Sequence, residues 1–194
     1  GIAAQDIGKG VPQVNAEVKQ KLPPQNLEAE QSVLGSMLID KDALLEVTEL
    51  ITSEDFYREV HKEIFQSIVS LADKNEPVDL VTICAELEKK NLLEKVGGAA
   101  YLATLANITP TAAHAAYYAR IVQEKAILRR LIRTATEIVG QSYDYIEDVE
   151  EFLDRAEQAI FEIAGSKGSS TFVPLKEALE ETFEKLDQLK QKKG

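Results

Sequence analysis

Residues 112–165 read AAHAAYYARIVQEKAILRRLIRTATEIVGQSYDYIEDVEEFLDRAEQAIFEIAG. From Ala112 to Val139 apolar side chains recur three and four apart, the signature of an amphipathic helix. Thr109-Pro110-Thr111 opens this helix, and Gly140 is expected to end it. A polar and aromatic turn follows through Tyr143 and Tyr145. Asp148, with Glu151 three residues on, resembles a capping box. It begins a second helix carrying Val149, Phe152, Leu153, Ala156, Ile160 and Ile163, which Gly165 stops. Two such helices joined by a short turn fold back as an antiparallel hairpin.

The two arms differ in charge. Residues 111–140 hold five basic and two acidic residues, whereas residues 141–165 hold one and eight. Either the arms attract across the hairpin or each is a solvated face, since exposed ion pairs contribute only about 0–1 kcal/mol. The apolar surface says more. Ile121, Leu128, Ile132, Ala135 and Val139 form one stripe, and Ile127, Leu131 and Ile138 form a second beside it. Together they span roughly 140° at about 100° per residue, more than one antiparallel partner covers. Phe161 lies off the inward stripe of its own helix. The excess points to a subunit interface, most simply a two-fold contact of hairpin on hairpin. Cover by the preceding helices is the alternative.

Upstream, residues 1–22 read as a flexible tail without sustained periodicity, and Pro23-Pro24 favours an extended path. Residues 23–110 form a helical block. Asn26 suits an N-cap, with Glu28 and Glu30 in the first turn and Leu27, Val33, Leu34, Met37 and Leu38 following. A short helix after Asp40 turns Leu44, Leu45, Val47 and Leu50 inward. Tyr57 to Lys74 is a strong helix through Val60, Ile64, Phe65, Ile68 and Leu71. Asp79 caps the next helix, Gly97-Gly98 is a turn, and Ala99 to Asn107 is a further short helix. His61 reads as a surface histidine. No segment alternates with a period of two, so the chain is expected to be all-α.

Downstream, residues 166–194 comprise a linker, Ser166-Lys167-Gly168-Ser169-Ser170-Thr171, and a last helix from about Leu175 to Lys192. Leu175, Leu179, Leu186 and Leu189 share a face, with Phe183 on its flank. Such a helix alone is marginal in water. It either docks back on its own domain or, as the linker permits, on a neighbouring chain or domain.

Composition narrows the function. Lys and Arg number 22 against 33 Asp and Glu, a net charge of −11, whereas domains that grip a phosphate backbone carry a basic surplus. A single cysteine, Cys84, excludes an intrachain disulfide and fits a reducing cytoplasm. His61, His114 and Cys84 do not form a zinc pattern, and no G-x-x-x-x-G-K-[ST] phosphate loop occurs. No apolar run approaches the ~18 residues of a membrane span. No acidic pair stands out as catalytic, and no cofactor is expected here.

The run Pro23-Pro24-Gln25-Asn26-Leu27-Glu28-Ala29-Glu30-Gln31-Ser32-Val33-Leu34-Gly35 resembles the opening of the DnaB family of bacterial replicative DNA helicases. Asp55-Phe56-Tyr57, His61-Lys62-Glu63-Ile64-Phe65, Pro77-Val78-Asp79, Gly97-Gly98 with Tyr101-Leu102, Thr109-Pro110, and Tyr118-Ala119-Arg120-Ile121-Val122 with Arg129 continue the series in order. The resemblance covers about residues 22–194. It implies an N-terminal domain, a helical hairpin and a linker helix. The motor that follows in that family, with its ATP and magnesium site, would lie outside this sequence, so no ATP hydrolysis is expected of it. It further implies a homo-oligomer, dimer or hexamer, in which hairpins pair within a collar of three dimers. The linker helix would pack on the adjacent subunit's motor domain. Primase, DnaG, would dock on the collar, with the hairpin's outer face the expected contact. A helicase loader joins the candidate partners, DNA is reached through the parent protein, and no membrane is involved. The competing reading is a free-standing helical adaptor whose terminal helix sits in a partner's groove. An enzyme built on the acidic helices is a third.

Overall fold

The computed structural model describes residues 21–109, 111–165 and 184–191. Among these residues the secondary structure is helical, with no strand, as the sequence predicts. The elements are α1 (Leu27–Ile39), α2 (Lys41–Leu50), a 3-10 turn (Ser53–Asp55), α3 (Glu59–Asp73), α4 (Leu80–Lys89), α5 (Gly98–Ile108), α6 (Ala115–Ser142) and α7 (Val149–Gly165). Residues 184–191 are also helical.

The helices begin where side chains can cap them. Asn26 accepts from the Ala29 amide at 3.0 Å and Asp40 from the Asp42 amide at 2.9 Å. Asp79 and Thr82 satisfy each other's backbone N–H groups, each at 2.9 Å. At α7 Asp148 accepts from the Glu151 amide at 3.2 Å, the expected half of a capping box.

The core lies between α1, α3 and α5, with α2 and the first half of α6 closing one side. Val33, Leu34 and Met37 of α1 meet Ile64 and Ile68 of α3, Leu102 and Leu105 of α5, and Ala115, Ala119 and Val122 of α6 in one buried cluster. Gly35 lets α1 and α5 touch. A Cβ there would fall well inside contact distance of the Leu105 carbonyl oxygen and 2.5 Å from the Thr109 hydroxyl.

Several local expectations shift. The helix foreseen from Tyr57 starts at Glu59, and Gly140 does not end α6, which runs on to Ser142. Leu45 faces solvent rather than the core. His61 is not on the surface: its relative exposure is 0 %. It occupies the apolar face of α3, one turn before Ile64 and Phe65, and shares their burial.

Candidate interaction surface on the helical hairpin

The long helix α6 has two roles along its length. Ala115, Ala119, Val122 and Ala126 are buried, and beyond Ala126 neither α6 nor α7 buries a residue. The two arms pack on each other and otherwise face outward. Arg129 fixes the point where the hairpin leaves the globular body. Its guanidinium donates to the Pro24 carbonyl at 2.7 Å and to the Asp55 carbonyl at 2.8 Å. It also lies over the Tyr57 ring, 5.5 Å from the centroid. Burial pushes its pKa down, and Glu30 and Asp55 act against that shift. Arg130 pairs with the Asp55 carboxylate, whose other oxygen accepts from the Thr52 amide at 2.9 Å. The ion pairs seen among the described residues do not bridge the two arms; that of Arg130 ties α6 to the globular body.

The residues named from the sequence divide accordingly. Ile121 packs against the globular core, so the helical block covers it. Ile127 and Ile138 are half-buried. Leu128, Leu131 and Ile132 are exposed, with Leu131 at 39 %. Phe161 is 67 % exposed, and Val149, Leu153 and Ile160 of the same arm are also open. On the last helix, Leu186 and Leu189 are 49 % and 59 % exposed. Leu175, Leu179 and Phe183 lie outside the described residues, as do residues 1–20 of the expected tail.

At the root of the hairpin is an open groove of about 1020 Å³. Its walls are Lys21–Pro23, the Phe56-Tyr57 corner, and the face of α6 carrying Ala126, Ile132, Ala135 and Val139. Lys21, Lys62, Arg129, Arg130 and Arg133 line it against the single acid Glu54.

Joined to the Tyr57 corner through Glu30 is a buried polar cluster that the sequence reading missed. Glu30 accepts from the Tyr57 amide at 2.9 Å and lies 2.8 Å from Nδ1 of His61. Nε2 of His61 lies 2.6 Å from the Tyr101 hydroxyl, which also accepts from Gln31 at 3.3 Å. A carboxylate only accepts, so the network places a proton on Nδ1, which donates to Glu30, while Nε2 pairs with the Tyr101 hydroxyl. The cluster joins α1, α3 and α5 and has the character of a structural clamp. Among the described residues no group of three or more His, Cys, Asp or Glu could hold a metal ion. No described helix is long and apolar enough to cross a membrane.

Comparison with known proteins agrees with this architecture. The profile described as "DnaB-like helicase N terminal domain" matches residues 22–124. The replicative DNA helicase DnaC of Bacillus subtilis is 47% identical over 177 residues, 91% of this chain but 39% of that protein. The chain thus spans well under half the length of this relative. The crystal structure of the N-terminal domain of DnaB helicase from Mycobacterium tuberculosis superposes with a TM-score of 0.69 at 49% identity, covering 73% of this chain and 99% of that one. A DnaB-like replicative helicase solved to show its interactions with primase gives a TM-score of 0.59 at 26% identity, over 80% of this chain and 35% of that one. With a profile match over more than half of its residues, the chain belongs to the DnaB-like helicase N-terminal domain family.

Proposed function

We propose that this chain is the assembly and docking collar of a replicative DNA helicase. The observation that carries the reading is the exposed apolar row Leu128, Leu131 and Ile132 on α6, with Phe161 open on α7. A contiguous apolar surface of this kind on a charged protein is the ordinary mark of an interface. A second copy presenting the same row covers it by two-fold pairing. Ile127 and Ile138 flank the row and join the contact. Three such pairs make a hexameric collar, with residues 23–110 as its globular unit and residues 111–165 as its pairing unit.

In this reading the chain holds no cofactor and does no catalysis. ATP and magnesium belong to the motor domain of the parent helicase, which acts on DNA in the cytoplasm. Residues 166–194 connect the two, and the expected linker-helix residues Leu175, Leu179, Phe183, Leu186 and Leu189 seat on the neighbouring subunit's motor. Primase is the leading partner, because a relative of the same fold was solved with its interactions with primase. The hairpin's outer face is the expected contact, and a helicase loader is a further candidate.

Sedimentation velocity over a range of concentrations tests the assembly. The native chain should associate, and Leu131→Asp should remain monomeric while keeping its helical circular dichroism. Placing a charge in the contact costs several kcal/mol, on the order of 3–5, when its partner side is apolar. A native chain that stays monomeric throughout overturns the pairing. A pull-down with primase tests docking separately: capture by the native chain, and its loss with changes on the outer face of the hairpin, is the expected result.

A further inference from the structure

We propose, resting on the pairing of two copies above, that the two hairpins run antiparallel and that the acidic tip of each enters the basic groove at the root of the other. Charge is sorted along the hairpin from end to end. At the tip, residues 144–151 hold Asp144, Glu147, Asp148, Glu150 and Glu151 and no basic residue. All five acids are exposed, and none joins an ion pair among the described residues. Tyr145, between them, is 91 % exposed. At the root, Lys21, Lys62, Arg129, Arg130 and Arg133 converge on one groove whose single acid is Glu54.

A two-fold axis can bring such hairpins together in the same direction or in opposite directions. In the same direction, acidic tip meets acidic tip and basic root meets basic root. In opposite directions each tip meets a root, and the contact is made twice. Like charges brought together oppose the first arrangement, and complementary ends fix the register of the second. The apolar row fits the same direction of pairing. Leu128, Ile132, Ala135 and Val139 recur at spacings of four, three and four, a pattern that reads the same when reversed. Antiparallel pairing therefore sets Leu128 opposite Val139 of the second copy and Ile132 opposite its Ala135. The turn that follows Val139 then passes beyond Leu128 and reaches the root, where Lys21 and Arg133 meet Asp144 and Glu147 of the second copy. Exposed ion pairs are individually weak, so the apolar row holds the pair together and the charged ends decide its direction.

Charge reversal on the full chain tests the direction. Lys21→Glu with Arg133→Glu reverses the root, and Asp144→Lys with Glu147→Lys reverses the tip. Sedimentation should show either variant associating roughly tenfold more weakly than the native chain. The tip variant should weaken although it brings the net charge of −11 closer to zero, which sets the effect apart from general repulsion. Mixing the two variants should restore association, and so should all four changes in one chain. A parallel pair keeps like ends together in each single variant and again in the fourfold variant, so none of these would differ from the native chain. A second measurement leaves the charges alone. Nitroxides on Gln141→Cys, in a Cys84→Ser background, should lie more than about 20 Å apart across the antiparallel pair. Parallel pairing would hold them within about 15 Å. Labels at the short distance, or native-like association of both single variants, overturns the antiparallel arrangement while the pairing itself stands. A native chain that stays monomeric overturns the pairing, and the direction with it.

Discussion

Nδ1 of His61 lies 2.8 Å from Oε1 of Glu30, and both side chains are buried. Glu30 stands in the first turn of α1 and His61 in the first turn of α3. The contact therefore fixes the starts of two helices relative to each other. Tyr101 extends it to α5, its ring 6.0 Å from the imidazole and nearly parallel to it. Because Arg129 rests on Tyr57, whose amide donates to Glu30, the same cluster supports the base of the hairpin.

His61→Ala leaves the Glu30 carboxylate buried with only backbone donors. The lost hydrogen bond to a charged acceptor and the cavity left by the ring together cost about 3–5 kcal/mol. Tyr101→Phe removes one hydrogen bond to the imidazole and should cost less, about 1–2 kcal/mol. Urea denaturation followed by circular dichroism should order the midpoints native, Tyr101→Phe, His61→Ala. Equal midpoints for all three would refute the clamp.

One substitution should act with opposite signs at two helical glycines. At Gly35 a Cβ collides with the Leu105 carbonyl oxygen and the Thr109 hydroxyl. The backbone of α5 must retreat, so Gly35→Ala should destabilise by about 1–3 kcal/mol. At Gly140, inside α6, nothing lies within 4 Å of the new atom. Gly140→Ala should stabilise by roughly 0.5–1 kcal/mol, through helix propensity alone. Thermal melts of the two variants beside the native chain read the signs directly.

The caps and apolar spacings were legible in the sequence because they act within a few residues. Asn26, Asp40, Asp79 and the Asp148–Glu151 pair all sit where such local chemistry predicts. His61 was misread because polarity was weighed above position. It stands three and four residues before Ile64 and Phe65, on the stripe that α3 buries. Glu30 likewise shares the stripe of Val33, Leu34 and Met37. A polar residue on each of two apolar stripes is the signal that could have paired them. Arg129 belonged to the motif series, but its acceptors are carbonyls of Pro24 and Asp55, more than seventy residues away, and backbone acceptors leave no mark in a sequence.

Glu86 should make part of the stability depend on pH. Burial raises its carboxyl pKa, but Lys74 at 3.5 Å and Lys90 at 3.4 Å outweigh that and hold it below the ordinary 4.5. A folded pKa below the unfolded one gives stability that is present above the unfolded value. It is lost as the pH falls from about 4.5 through the lower folded value. In urea titrations Glu86→Gln should lower the midpoint at pH 7 and lose less than the native chain between pH 5 and pH 3, a window set by linkage at about those values. Parallel pH profiles for the two proteins would show that the lysines do not hold the charge.

Arg129→Lys should fail as a conservative change. The guanidinium reaches two carbonyls on separate segments at once, Pro24 and Asp55, and lies against Tyr57. An ammonium is a point donor and cannot span that fork while covering the ring. One carbonyl then loses its partner in a part-buried site, at about 1–3 kcal/mol. The loss should be local, because the core cluster around α1, α3 and α5 does not include Arg129. Hydrogen exchange should therefore quicken at residues 52–58 and around Arg129, while Ile64, Ile68 and Leu102 keep their protection. Uniform acceleration would instead mean that Arg129 holds the whole domain. No change would mean that the carbonyls find water, and that the hairpin's base is set by Arg130 and Asp55 alone.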